Sequence, residues 1–215
     1  MLGELAAVLA TLDFEENGAV LIAAARWLGD RTCRLLLDVQ TGAETEPRQA
    51  WLIRCADART ARVNGDWAAS VALTTDHPLL LPYTQPRAEL AFRGHAPDPR
   101  AVVGDLWEAH RAATGAWYPF EWFFNRGLPL AELLATGGGV LAEGPRPVLD
   151  AYAAAVAAHS VESSILAERP PLRWLDGAWQ PEPGRLRALV IGDSYVVAAD
   201  FDVARMPVEH LDAVT

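Results

Sequence analysis

The sequence has no lysine: its 18 basic residues are all arginine, and with 28 acidic residues they give a formal net charge of −10. Without lysine, chemistry that needs an ε-amino group, such as Schiff-base formation or the usual phosphate-loop lysine, is excluded. The negative charge repels phosphate backbones on average, which argues against non-specific binding of nucleic acid.

Long apolar runs and cysteines are also scarce. No stretch of 18 uninterrupted apolar residues occurs, so we expect no membrane span, and the N-terminus lacks the basic start of a signal peptide. The only two cysteines, Cys33 and Cys55, each share a predicted strand face with apolar residues. Both are predicted to be buried. A disulfide is possible if their strands pair, but the cytoplasmic location expected from the lack of a span and of a signal peptide favours reduced thiols.

No complete catalytic, metal-binding or cofactor motif is present. None of the five histidines lies four residues from another, the spacing that would put two ligands on one helical face. The triplet Gly137–Gly139 lacks the Lys-Ser/Thr continuation of a phosphate loop. We therefore predict no metal and no cofactor.

The most unusual stretch is residues 117–124, here called the aromatic segment, in which six of eight residues are aromatic. Pro119 fits the first turn of a helix that would place Trp117, Phe120, Phe123 and Phe124 on one side. So many rings predict a packed core. The nearest polar residues, Glu121 and Asn125, would form either the rim of a ligand cleft or the solvated face of the segment.

Hydrophobic periodicity and turn signals predict an α+β fold, with a mostly antiparallel sheet built from hairpins and helices packed on one face. The predicted strands are 19–28, 32–40, 50–57, 59–63, 67–74, 87–93, 186–191 and 194–201. Turns at Gly29-Asp30, Asn64-Gly65 and Gly192-Asp193 would join neighbouring strands, and Asp176-Gly177 would set Trp174 opposite Trp179.

Helices are predicted over 2–12, over 99–114 with Asp98 as the cap, over 128–135, and from Pro145 or Pro147 to about His159. Residues 161–168 fit a strand or a short helix, and the proline-rich residues 75–86 fit an extended loop or a sheet edge. Within 99–114, the predicted apolar stripe includes Trp107, which we expect to share a core with Phe120. No linker or repeat interrupts the chain, so residues 1–215 are predicted as one domain, with a weak division near residue 95.

Three classes of function fit these patterns. The leading hypothesis is an acidic, non-enzymatic module that binds a protein partner or small ligand in an aromatic-rimmed groove, with a homodimer as one expected form. Its predicted binding residues are Trp117, Tyr118, Glu121, Trp122 and Asn125.

The alternative is a small-molecule enzyme whose cleft is lined by His77, His95, Asp98, His110 and Glu121. For His110, a core histidine bonded to a carbonyl is the favoured reading over a general base. The third class, nucleic-acid binding, requires one sheet face that gathers Arg54, Arg59, Arg62, Arg87 and Arg93.

Overall fold

A computed structural model describes residues 2–29, 31–45 and 47–212 of the chain. The chain divides into two compact units: unit 1 comprises Met1–Asp76 with Arg185–Thr215, and unit 2 comprises His77–Gly184. Residue 95, where the sequence suggests a weak division, lies inside unit 2, and the single-domain expectation stays a prediction. No helix in the described ranges is long and apolar enough to cross a bilayer.

Helices and strands alternate in blocks along the chain. The α-helices are α1 (Gly3–Leu9), α2 (Leu12–Asn17), α3 (Leu81–Thr84), α4 (Pro99–Thr114), α5 (Leu130–Ala135), α6 (Arg146–Ala157) and α7 (Glu209–Asp212). The strands are β1 (Ala19–Leu28), β2 (Thr32–Gln40), β3 (Arg48–Ala56), β4 (Thr60–Arg62), β5 (Val71–Thr74), β6 (Arg87–Arg93), β7 (Gly138–Pro145), β8 (Glu162–Arg169), β9 (Leu172–Leu175), β10 (Ala178–Pro181), β11 (Arg187–Ile191), β12 (Ser194–Ala198) and β13 (Asp200–Met206).

Unit 1 contains two four-stranded antiparallel sheets, ordered β1-β2-β3-β13 and β4-β12-β11-β5. The predicted bounds of the first hairpin, β1 with β2, are confirmed; Asp30, the second predicted turn residue, lies outside the described residues. Reciprocal backbone hydrogen bonds between Val20 and Ala68 tie β1 to the chain that leads into β5.

The core of unit 1 combines the inner faces of both sheets with apolar side chains from α1 and α2. Alternate residues of a strand point to one face, and the alternation in β2 buries Cys33 and Leu35 completely. Cys55 on β3 lies directly opposite Cys33, and both thiols are free and buried as predicted. Burial raises the pKa of both thiols, and the neighbouring Cys33 raises that of Cys55 further.

The predicted Asn64-Gly65 hairpin is wrong. β4 and β5, which it would join, lie at opposite edges of the second sheet, with β12 and β11 between them. The hydroxyl of Ser194 accepts a hydrogen bond from the Asn64 backbone amide at 2.9 Å, so this chain turns around the start of β12 instead. The apolar strands β11 and β12 take the central places, as expected for strands covered on both faces, and the hairpin that joins them is confirmed.

Unit 2 is built on a three-stranded antiparallel sheet, ordered β7-β6-β8. Helix α6 packs against all three strands, and α4 packs against α6. The cap of α4 is confirmed: the Asp98 carboxylate accepts hydrogen bonds from the backbone amides of Arg100 and Ala101. These layers confirm the predicted α+β class, with antiparallel sheets and, in unit 2, helices on one face of the sheet.

The β9–β10 hairpin of unit 2 is also confirmed. Trp174 and Trp179 are directly opposite, with ring centroids 5.4 Å apart in an edge-to-face arrangement. Asp176 and Gly177 both have positive φ, at 52° and 78°, as a two-residue type I′ turn requires. The turn residues and the cross-strand pair therefore specify the same local structure.

Four local predictions for unit 2 need correction. The aromatic segment forms only a 3₁₀ turn at Phe120–Trp122, because the backbone after it bonds to β7. The proline-rich residues form a 3₁₀ turn and α3, rather than an extended loop. A strand, β7, begins at Gly138, in a stretch for which no strand was predicted. Helix α5 begins at Leu130, two residues later than predicted, so the preceding residues are a loop.

The prediction that Trp107 is buried is also wrong, because this residue is 41% exposed. The buried stripe of α4 is narrower than predicted and runs through Val102, Leu106 and His110, which follow one another at four-residue steps. Trp107 is offset by about 100° from Leu106 around the helix axis, and the guanidinium of Arg111 lies 4.7 Å from its ring centroid.

Candidate binding site

The candidate site of unit 2 is backed by a buried histidine. His110 on α4 is 2% exposed, and its Nε2 lies 2.8 Å from the carbonyl oxygen of Tyr118. A carbonyl can only accept, so Nε2–H donates, and Nδ1 accepts from the hydroxyl of Tyr152 at 2.6 Å. Burial raises the pKa of the Tyr152 phenol, which keeps its proton available for this bond. The predicted core histidine bonded to a carbonyl is confirmed.

The aromatic rings pack around this histidine. Phe120 approaches the His110 ring edge-on at 5.7 Å between centroids, and Phe124 stacks on Tyr152 at 4.6 Å. Phe120 and Phe124 are in contact with each other at 5.0 Å. Side chains of both α4 and α6 therefore pack against the rings of the aromatic segment.

Backbone hydrogen bonds fix the other side of the segment against β7. The amide of Glu143 donates to the Phe123 carbonyl at 2.8 Å, and the amide of Asn125 donates to the Leu141 carbonyl at 2.9 Å. The Asn125 side chain donates to the Val140 carbonyl and accepts from the Gly127 amide. Asn125 thus fixes the start of the loop formed by residues 126–129, which lines a cavity together with Phe120 and Phe124.

A cavity of about 610 Å³ lies between the segment and this loop. We call it the aromatic groove, and its lining residues are Phe120, Glu121, Phe124, Asn125, Arg126, Gly127, Leu128, Pro129 and Leu130. The lining is mainly apolar, with one carboxylate and one guanidinium among it. Neither Glu121 nor Arg126 makes an ion pair or side-chain hydrogen bond with a described residue.

The five predicted binding residues are distributed over several environments. Glu121 and Asn125 line the aromatic groove. Trp122 is 52% exposed and borders a smaller neighbouring cavity of about 90 Å³. Tyr118 is buried and donates its hydroxyl proton to the Leu79 carbonyl at 3.0 Å, while Trp117 packs edge-on against His77 at 5.0 Å.

The predicted catalytic residues are not brought together. His77 caps the 3₁₀ turn that follows it by accepting the Leu79 amide at Nδ1, and His95 lies against Gly137. Asp98 caps α4, His110 lies in the core, and Glu121 lines the groove. Across residues 2–29, 31–45 and 47–212, no group of three or more His, Cys, Asp or Glu side chains is arranged to hold a metal.

The arginines named for the nucleic-acid hypothesis do not all belong to one sheet. Arg54 lies on β3 in the first sheet of unit 1, and Arg62 lies on β4 in the second. Arg59 precedes β4 and is bonded to the carboxylate of Asp57 at 2.6 Å. Arg87 and Arg93 lie on β6, in unit 2.

The groove residues that sequence reasoning missed are 126–130. Their apolar members were assigned to a helix, but Pro129 is its N-cap and the residues before it are loop. The pairing of Asn125 with Gly127 two residues later, a turn motif common to Asn side chains, is the local signal for this loop.

No protein-family model matches the chain, and no curated protein or solved structure is significantly similar to it.

Proposed function

We propose that the protein is a binding module and that the aromatic groove of unit 2 holds an aliphatic or aromatic side chain of a protein partner. The observation that supports this most directly is an open, mainly apolar cavity of about 610 Å³. Binding sites for small groups are usually concave, mostly apolar and about 300–1,000 Å³ in volume.

The walls of the groove are held in place before any ligand binds. Phe120 and Phe124 contact each other and pack on the buried rings of His110 and Tyr152. Fixed walls reduce the ordering cost of association, so more of the contact free energy contributes to affinity.

The mouth of the groove combines apolar and charged groups. Leu128 is 44% exposed, and Trp122 beside the groove is 52% exposed. Glu121 and Arg126 supply charges of both signs. An apolar centre with a polar rim is the usual composition of a protein-binding surface. When a partner's apolar side chain occupies the groove, charged residues beside it in the partner's sequence would pair with Glu121 and Arg126.

The groove is tested by changing Leu128, whose exposure allows substitution without a core cavity. Amide NMR of the whole protein would be recorded during titration with blocked Phe, Leu and Glu dipeptides. We expect Phe and Leu, but not Glu, to shift the amides of Gly127 and Leu130. Leu128→Ser should abolish these shifts and change the free energy of unfolding by no more than about 0.5 kcal/mol.

Leu166 on β8 provides a matched control, because it is 46% exposed and lies outside the aromatic groove. Leu166→Ser should leave the dipeptide shifts unchanged. The proposal fails if no apolar dipeptide shifts the groove amides, or if both serine variants lose the shifts equally.

The location and assembly expected from the sequence belong to the same proposal. Two free, buried thiols on facing positions of β2 and β3 support a reducing compartment, and hence the cytoplasm. A homodimer stays a prediction, which sedimentation of the purified protein would test.

A further inference from the structure

Three arginines form a row across the first sheet of unit 1. Arg26 on β1 is directly opposite Arg34 on β2, which is directly opposite Arg54 on β3. All three are exposed, whereas the flanking Cys33 and Cys55 are completely buried. The three side chains therefore share the outer face of the sheet, and we call them the arginine row.

The charge of the arginine row is only partly offset: Asp202 on β13, also exposed, lies directly opposite Arg54, so the row carries three positive charges and one negative charge. None of its members makes an ion pair, a side-chain hydrogen bond or a ring contact with a described residue. By contrast, Arg48 on the same sheet is bonded to Asp38 at 2.9 Å. Like charges directly opposite one another destabilise a sheet, and an anionic partner would reverse that effect.

The next row along the strands is apolar. Two residues from the arginines, Leu36 lies opposite both Ala24 and Leu52, and Ala204 on β13 lies opposite Leu52. The two leucines are half-buried and Ala204 is exposed. Because a strand rises about 3.3 Å per residue, the apolar row runs roughly 6–7 Å from the arginine row.

The spacing of the arginines favours one kind of acidic partner. Neighbouring strands are about 4.7–4.9 Å apart, which sets the step along the arginine row. Residues three or four apart on an α-helix are about 4.5–6 Å apart along its axis.

We propose that this outer face binds an acidic amphipathic helix of a protein partner. Carboxylates on one flank of that helix would pair with Arg26, Arg34 and Arg54, and apolar side chains on the adjoining flank would cover Leu36 and Leu52. The site lies in unit 1, so it is independent of the aromatic groove, and Leu128→Ser should not affect it.

The test uses a labelled synthetic helical peptide with glutamates at positions i, i+4 and i+7 and leucines on the adjoining flank. Its binding would be followed by fluorescence anisotropy at low and physiological salt. We expect wild-type protein to prefer it to a scrambled peptide of the same composition, and binding to weaken with salt. Arg34→Gln/Arg54→Gln should weaken binding roughly tenfold, and Arg34→Gln alone by less.

The matched control is Arg100→Gln/Arg185→Gln, which removes the same charge from exposed arginines elsewhere. It should leave affinity within roughly twofold, since neither of these arginines belongs to the arginine row. Arg34→Gln should also melt no earlier than wild type, because Arg34 faces a like charge on each side, Arg26 and Arg54.

Four results would overturn the proposal. They are no binding of the designed peptide, equal binding of the scrambled peptide, equal losses in the two double variants, and tighter binding of single-stranded or duplex DNA than of the peptide. The last result would assign the arginine row to nucleic acid instead.

Discussion

His110 offers the sharpest test of how the aromatic segment is held. His110→Leu removes both ring nitrogens while filling much of the space, and with them the hydrogen bonds to the Tyr152 hydroxyl and the Tyr118 carbonyl. Each buried polar group that loses its partner costs about 1–3 kcal/mol. The variant should therefore lower the free energy of unfolding of unit 2 by about 2–6 kcal/mol.

Tyr152→Phe separates the two bonds. This substitution leaves only Nδ1 of His110 unpaired, so its expected cost is about 1–3 kcal/mol. In the double variant, neither the hydroxyl nor Nδ1 remains to be satisfied. The double variant should therefore cost less than the sum of the single variants, with a coupling free energy of roughly 0.5–3 kcal/mol.

The assay must report on unit 2 alone, because the chain has two compact units that need not unfold together. Urea unfolding followed by amide NMR signals of α4 and α6 meets this requirement. The hydrogen bond between His110 and Tyr152 would be refuted if the costs of the two single variants sum to the cost of the double variant within about 0.3 kcal/mol.

Two further predictions concern thiols and an exposed ring. Unit 1 should lose stability as pH rises above about 9, because burial raises the pKa of Cys33 and Cys55 above their usual 9.0. Below that pH both thiols are protonated in the folded and the unfolded chain, and no stability is lost. Above it, each thiol that ionises only in the unfolded chain lowers the free energy of unfolding by about 1.4 kcal/mol per pH unit. Guanidinium unfolding at pH 8 and 10 should show this loss in wild type and a smaller loss in Cys33→Ala/Cys55→Ala, and equal losses would contradict it. Trp107→Ala should cost only about 0.5–1.5 kcal/mol, mainly its packing and the Arg111 contact, whereas Leu106→Ala at a fully buried position should cost about 2–5 kcal/mol. Similar unfolding midpoints for these two variants would show that Trp107 belongs to the core.

Structure specified by neighbouring residues was predictable from the sequence. The bounds of β1 and β2, the Asp98 cap and the Trp174–Trp179 pair each depend on signals within about ten residues. Turn geometry and capping act over such distances, so a single sequence contains the information that they need.

Structure specified by distant residues was not predictable in the same way. Asn64-Gly65 is a good local turn signal, but β11 and β12, more than 120 residues later, take the central positions beside β4 and β5. Tertiary pairing of strongly apolar strands overrides the local turn and strand preferences around Asn64-Gly65, since local strand preferences are worth only about 1 kcal/mol.

The candidate site shows the same division. Glu121 and Asn125 were found because they stand beside a conspicuous run of rings. The loop around Leu128 was missed: the Asn125–Gly127 turn is its only local signal, and the bonds that hold Asn125 against β7 come from residues 15 or more positions away. The arginine row was missed as well, because it exists only in the register of three strands, and register is invisible until the pairing is known.

The position of unit 2 within the chain has a consequence during synthesis on the ribosome. Strands β4 and β5 are made first, and their neighbours β12 and β11 follow only after all of unit 2 has been translated. At about 5–20 residues per second, the two strands wait roughly 6–25 s for their hydrogen-bonding partners. Unit 2 is continuous in sequence and can complete its own sheet in that interval. The nascent residues 1–76 meanwhile carry unpaired strand edges, a state that favours aggregation until β11, β12 and β13 have been made.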